Sequence, residues 1–276
     1  MTRQHLIDLI RERRSYLCVG LDTDIEKIPA HLLEADDPVF EFNKAIIDAT
    51  REFCVAYKLN TAFYEAGGSK GWESLEKTAN FIGPRHFKIA DAKRGDIGNT
   101  SDQYAKAFFR TLPFDAITVA PYMGEDSVKP FLNHAGKWAI VLGLTSNKGA
   151  NDFELQNLHD GPLYEKVLTT VSRWGTNDNL MFVVGATQAS SFVRIRELIP
   201  DHFLLVPGVG AQGGSLKEIS EKAMNPECGL LVNVSRDIIY ASNKENFATA
   251  AREKASSYQK EMEVYLKDLN SRAENQ

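Results

Sequence analysis

The sequence predicts an α/β fold, a single (β/α)8 barrel with its helices outside a closed parallel sheet. Three observations lead there. The chain has 276 residues, long for one ordinary domain and right for such a barrel, which takes about 250. Eight apolar runs of strand length alternate with helical patterns, and that alternation implies a parallel sheet covered by helices. Polar residues collect at or just past the C-terminal ends of those runs, the face on which TIM barrels build their active sites. Eight units favour closure over an open, doubly wound sheet. No low-complexity linker and no composition shift divides the chain, so residues 1–276 read as one domain.

The elements follow in order. Met1 to Arg14 carries Leu6, Ile7, Leu9 and Ile10 among charged residues. This amphipathic pattern reads as a packing helix, without the continuous apolar segment of a signal peptide. The first strand runs from Ser15 to Asp22 and ends in a loop with Pro29. A helix from Phe40 to Glu52 places Phe42, Ala45, Ile46 and Ala49 on one face. Strand two, Phe53 to Asn60, ends in the polar Lys58 and Asn60, and helix 72–82 is stopped by Gly83-Pro84.

Strand three is Phe87 to Lys93, and a helix from Asp102 to Arg110 follows the capping residues Asn99, Thr100 and Ser101. Strand four, Ala116 to Tyr122, precedes a helix from Asp126 to Asn133, and strand five is Trp138 to Thr145. Ser146 to Asp160 has too many loop formers for a strand and is long enough to be functional. Helix 163–174, strand Leu180 to Thr187, helix 189–198, strand His202 to Pro207, helix 215–223 and strand Leu230 to Ser235 complete the alternation. A long amphipathic helix, Glu245 to about Asn270, ends the pattern and reads as packing on the barrel.

Composition narrows the setting. With 43% hydrophobic and 25% charged residues the chain reads as soluble and globular, and no apolar run approaches the roughly 20 residues of a membrane helix. A net charge of -5 argues against general nucleic-acid binding, which wants a basic patch. A local cluster of donors can still hold a small anion. Cys18, Cys54 and Cys228 are odd in number and lack metal-ligand spacing, so they read as reduced core thiols of a cytoplasmic protein.

The chemistry centres on Asp91-Ala92-Lys93-Arg94-Gly95-Asp96, at the end of strand three. Alternation along a strand puts Asp91 and Lys93 on one side. Gly95 lets the backbone turn, which can bring Asp96 back towards the lysine. An ammonium with carboxylate neighbours stays charged, the condition for a proton donor. Such a cluster alone is a common solvated turn. Here it sits among Asp22, Lys58, Asn60, Thr145, Ser146 and Arg236, all at strand ends.

A second site follows strand seven. Pro207-Gly208-Val209-Gly210-Ala211-Gln212-Gly213-Gly214 can bring backbone N–H groups close to an anion, with a helix behind it. Ser235-Arg236 after strand eight places a guanidinium suited to paired phosphate contacts beside that loop. Loops after strands seven and eight are the frequent phosphate site of such barrels. No Gly-Lys-Ser/Thr closes the loop, so it is not a nucleotide P-loop.

Together these residues resemble the orotidine 5'-phosphate decarboxylase family in its longer bacterial (type 2) branch. Asp91-Ala-Lys93-Arg-Gly-Asp96-Ile-Gly-Asn-Thr100 is similar to the family's Asp-x-Lys-x-x-Asp signature with Thr four residues later. Val19-Gly-Leu-Asp22, Lys58-Leu-Asn60, Leu144-Thr-Ser146-Asn, the glycine loop and Ser235-Arg236 match further landmarks in order, across about residues 15–240. The resemblance implies a homodimer with shared sites, acting without metal or organic cofactor to make UMP and carbon dioxide from orotidine 5'-phosphate.

By motif position it makes Lys93 the proton donor to C6 and Asp91 the carboxylate beside the departing carboxyl group. Asp96 and Thr100 would reach into the partner's site. Asp22 and Lys58 would bind ribose hydroxyls and hold the charge network, which makes Lys58 catalytic with Lys93, Asp91 and Asp96, and Ser146 would contact the pyrimidine. Gln212 and Arg236 would bind phosphate, with Pro207, Gly208 and Ser235 in the same loops. Leu59 stands where the branch often has Pro, which bears on backbone stiffness. Segments 146–160 and 207–214 are candidates to close over substrate. Asn60, Thr145 and Tyr240 lie beside the motifs without an assigned role.

Three other activities fit parts of the pattern. A keto-gulonate phosphate decarboxylase shares Asp-x-Lys-x-x-Asp but uses Mg²⁺. A Schiff-base aldolase would need a lysine of lowered pKa, which flanking carboxylates oppose. A noncatalytic nucleotide-binding barrel would keep the pocket and not the charged set.

Overall fold

The computed structural model describes residues 1–188, 190–210 and 213–274. Among them eight strands form a closed, all-parallel barrel: β1 (Leu17–Gly20), β2 (Ala56–Asn60), β3 (Phe87–Arg94), β4 (Ala116–Val119), β5 (Trp138–Leu144), β6 (Leu180–Val184), β7 (Phe203–Pro207) and β8 (Leu230–Val234). Every strand pairs with its neighbours in the chain, and β1 closes the ring by pairing with β8. Strands β1, β4, β6 and β8 are buried along their whole length. Covered on both faces, they read as continuous apolar runs and not as alternating ones.

An aromatic chain fills the N-terminal end of the barrel. Phe87, Trp138 and Phe203, the first residues of β3, β5 and β7, meet edge to face at 6.1 and 6.5 Å between ring centres. Layers contributed by alternate strands are the packing rule of such barrels. The N-terminal helix Arg3–Arg13 closes this end from below. Arg3 lies over the Phe203 ring, donates to the carbonyls of Asn177 and Asp201, and pairs with Glu227.

The C-terminal helix Phe247–Glu274 packs on the barrel, as its amphipathic pattern predicts. Ala251, Ala255 and Met262 are buried, and Phe247 stacks on Phe42 of helix Pro38–Thr50 at 5.2 Å.

Several boundaries move. Phe53 is not in strand two: its N–H donates to the Thr50 carbonyl in the turn that ends the preceding helix. The first, fourth and sixth strands are trimmed at their polar ends, because Asp22, Tyr122 and Thr187 already belong to loops. The helix expected over 102–110 begins at Gly98 and ends in a π-wound turn, Ala107–Thr111. Segment 146–160 holds a 3₁₀ turn, Lys148–Asp152, and Asn157–Leu158, which pairs with Gly161–Pro162. Two short helices, Thr61–Glu65 and Arg236–Ile239, directly follow β2 and β8. Five and four residues long, they show too little periodicity to be read from sequence.

Candidate active site

A cavity of about 220 Å³ opens at the C-terminal end of the barrel. Its walls include Asp22, Lys58, Asp91, Lys93, Pro207, Gly208, Ser235 and Arg236, eight of the residues that the sequence marks. Asp91 is the hub. Its Oδ2 accepts from Lys58 Nζ at 2.7 Å and its Oδ1 from Lys93 Nζ at 2.7 Å. Asp22 Oδ1 lies 3.5 Å from the far side of the Lys58 ammonium.

The two lysines differ in access. The Lys58 side chain is 4% exposed and that of Lys93 51%, so Lys93 is the ammonium a ligand can meet. Burial pushes the Asp91 carboxyl up, but the ammoniums of Lys58 and Lys93 outweigh it and hold it well below the usual range. Burial disfavours the Lys58 charge, yet Asp22 and Asp91 more than compensate and hold its pKa above the usual lysine value. The carboxylate and the buried lysine are therefore both ionised across the neutral range.

Simple alternation does not account for how Lys93 meets Asp91. The pairing of β3 with β4 shifts register between Ala90 and Arg94, and Lys93 takes a left-handed φ of 47°. Few residues other than glycine sit there, and such turns gather at functional sites. Thr118 of β4 supports the turn. Its Oγ1 accepts the Lys93 N–H at 2.9 Å and donates to Asp91 Oδ1 at 3.0 Å.

Sequence reading missed Thr118, although one hydroxyl inside the apolar run of β4 signals a polar partner. It also missed Asn233 of β8, buried in the cavity wall with Oδ1 unpartnered. The three residues without an assigned role acquire one. Tyr240 accepts the Asp24 N–H at 2.8 Å and donates to the Asp22 carbonyl at 3.2 Å, pinning the turn that carries Asp22. Asn60 lines the cavity and caps helix Thr61–Glu65. Thr145 is clamped by Glu154, whose carboxylate accepts its N–H at 2.6 Å and its hydroxyl at 2.9 Å.

The side walls at β7 and β8 suit an anion. Gly208, Gly210 and Gly213 take φ values of 102, 77 and 84°, and the Gly214 N–H donates to the Gly208 carbonyl. Among the described residues the Arg236 guanidinium has no ion-pair partner. Gly20 is required beside it, because a Cβ there would stand 2.7 Å from the Cβ of Ser235. The helix behind the loop, Leu216–Ala223, is capped by Ser215 and does not line the cavity. Gln212 lies outside the described residues.

Three marked residues are elsewhere. Asp96 does not turn back to Lys93: its carboxylate accepts from the N–H of Ile97 at 2.8 Å, and no ion pair joins the two among the described residues. The backbone leads into helix Gly98–Lys106, with Thr100 exposed on its first turn. Ser146 packs on the end of β6, its Oγ filling the place a Gly185 side chain would take.

Comparison with known proteins bears on the chemistry. A family model described as orotidine 5'-phosphate decarboxylase / HUMPS family matches residues 15–251. The chain is 58% identical over 270 residues to the orotidine 5'-phosphate decarboxylase of Phocaeicola vulgatus, covering 96% of this chain and 99% of that one. It is 60% identical over 265 residues to that of Flavobacterium johnsoniae, covering 95% and 97%. Among solved structures, an OMP decarboxylase from Leishmania donovani superposes with a TM-score of 0.78 at 37% identity, covering 94% of this chain and 99% of that one. A Toxoplasma gondii structure described as a putative orotidine-monophosphate-decarboxylase gives 0.83 at 33%, covering 95% and 98%.

Proposed function

The chain belongs to the orotidine 5'-phosphate decarboxylase / HUMPS family, and from that premise we propose how its cavity works. It converts orotidine 5'-phosphate to UMP and carbon dioxide in pyrimidine biosynthesis. Breaking the bond between C6 and the carboxyl group leaves an electron pair in the ring plane, where it cannot simply delocalise. The charge must be met electrostatically, by a group already in place.

Lys93 is that group. At an effective dielectric of about 20, unit charges 4 Å apart attract by about 4 kcal/mol, and a closed, dry site strengthens this. The pair on C6 then takes a proton from Lys93 Nζ, giving UMP, and the neutral amine regains a proton from water. Asp91 stands beside the departing carboxyl group, where its charge opposes the substrate's own. Asp22 and Lys58 bind ribose hydroxyls. The steps written here use only groups of the chain and water, and call on no metal or organic cofactor.

Arg236, the backbone at Pro207 and Gly208, Ser235 and Gln212 hold the phosphate. That group lies far from the reacting bond, so its binding energy can drive closure of segments 146–160 and 207–214. Closure brings Ser146 to the pyrimidine. The active unit is a homodimer in which Asp96 and Thr100 complete the partner's site. Their position away from Lys93 supports this, as do the neighbouring exposed apolar residues Ile97, Tyr122 and Met123. The free, buried thiols of Cys18, Cys54 and Cys228 support a cytoplasmic setting, and no described helix is long and apolar enough to cross a membrane.

The observation that carries this reading is the single carboxylate of Asp91 shared by a buried and an open lysine. Loss of orotidine 5'-phosphate is followed by absorbance in EDTA, with Lys93→Ala alongside. Rapid loss by the wild type and none by the variant is the expected result. Near-normal turnover by the variant ends the assignment of Lys93. A wild type that is inactive in EDTA and restored by Mg²⁺ ends the cofactor-free reading.

A further inference from the structure

We infer that Thr118 is a positioning residue for decarboxylation, its one hydroxyl setting both the Lys93 turn and the Asp91 carboxylate. The inference rests on Lys93 being the proton donor.

The geometry is specific. A hydroxyl has one proton and two lone pairs. Thr118 gives its proton to Asp91 Oδ1 at 3.0 Å and takes the Lys93 N–H at 2.9 Å. That N–H belongs to the residue with the left-handed φ of 47°, at the point where β3 loses register with β4. In regular β3 the odd-numbered residues face β2, as the Phe87 N–H donating to the Val55 carbonyl shows, so it is the kink that turns the Lys93 N–H to β4, where a side chain receives it. The same bond therefore holds the kink and fixes where the Lys93 side chain leaves the backbone.

The other bond acts on the partner of that lysine. Among the described residues Asp91 has three donors, Lys58 on Oδ2 and Lys93 with Thr118 on Oδ1. Two lysines alone fix the position of the carboxylate but leave it free to rock about the line joining them. A third donor on Oδ1 removes that freedom. Thr118 is almost fully buried and lines the cavity beside both groups. Catalytic groups must be held to within about 0.5 Å, and supports of this kind are what hold them.

Thr118→Val keeps the shape of the side chain and removes both bonds; Thr118→Ser keeps the hydroxyl and removes a methyl. For Thr118→Val we expect kcat to fall roughly 10- to 100-fold, with UMP affinity within about threefold of wild type. Thr118→Ser should keep at least about a third of wild-type kcat. A merely structural threonine predicts the reverse, with affinity and thermal midpoint dropping and kcat following them. A folded valine variant with near-normal kcat overturns the proposal, and so does a parallel loss of UMP affinity. If the valine variant does not fold, serine decides: full retention supports the hydroxyl, and a loss of more than tenfold overturns it. Lys93→Ala measured in the same assay separates this from failure of the underlying reading, since an active Lys93→Ala removes the donor itself.

Discussion

The hydroxyl of Tyr258, on the C-terminal helix, donates to Asp237 Oδ2 at 2.8 Å, one residue beyond Arg236. Lys254 of the same helix lies 3.3 Å from the other carboxylate oxygen. The same hydroxyl stands 2.7 Å from the place a Cβ on Gly210 would occupy, so the helix touches the glycine loop as well. A helix that reads from sequence as packing thus also buttresses the anion wall. Tyr258→Phe should weaken UMP binding about three- to tenfold and leave the fold intact, as read by titration calorimetry. An unchanged affinity would restrict the helix to supporting the barrel.

Arg236→Ala removes a cavity guanidinium that has no ion-pair partner among the described residues. Hydrogen bonds to a charged group are worth about 1.5–3 kcal/mol, which corresponds to roughly 10- to 100-fold in affinity. We expect UMP to bind that much more weakly and uridine, which lacks the phosphate, to bind as before. Equal losses for both ligands would mean that Arg236 shapes the site and does not hold the phosphate.

Asp96 accepts from the Ile97 N–H and makes no ion pair with its own Lys93 among the described residues. In a shared-site dimer, Lys93→Ala and Asp96→Ala subunits are each inactive alone, but a mixed dimer holds one site with both groups intact. Mixing the two variants should restore up to about a quarter of wild-type activity, on random exchange into dimers with one intact site each. No recovery after subunit exchange has been verified by mass would place all the groups within one chain.

The residues that carry charge were legible because barrels put them at strand ends: Asp22, Lys58, Asp91, Lys93 and Arg236 all meet at one cavity. What alternation could not supply was the kink. Asp91 and Lys93 come together through a register shift and a left-handed turn, where the Lys93 N–H meets a hydroxyl from the next strand. Thr118 and Asn233 escaped notice because each is one polar side chain in an apolar run, and only closure of the barrel shows which face it takes. Asp96 forms no ion pair with its own Lys93 among the described residues: Gly95 permits a turn in either direction, and helix Gly98–Lys106 begins two residues beyond Asp96.

Two histidines, His86 buried and His202 half-buried, make stability depend on pH. Burial pushes the imidazoles of His86 and His202 down to about 4. His86 Nε2–H donates to the Arg51 carbonyl at 2.8 Å, and His202 packs edge-on to Phe182. In the unfolded chain both titrate near 6.5, so between about 6.5 and 4 the unfolded state binds protons that the folded state refuses. Stability therefore falls as pH is lowered through that window and is unaffected by these groups above it. The thermal midpoint should drop between pH 7 and 4.5, and the double variant His86→Gln, His202→Gln should flatten that segment of the curve. An unchanged slope in a folded double variant would assign the acid sensitivity to carboxylates.

The pairing of β1 with β8 joins a strand near the start of the chain to one that ends at Val234. Until Leu230 to Val234 have been made, β1 and β7 each present a row of unpaired backbone donors and acceptors, the feature that templates aggregation. Any product of premature termination or proteolysis that lacks β8 carries both sticky edges. The last strand is in this sense the one that leaves the sheet without an open edge.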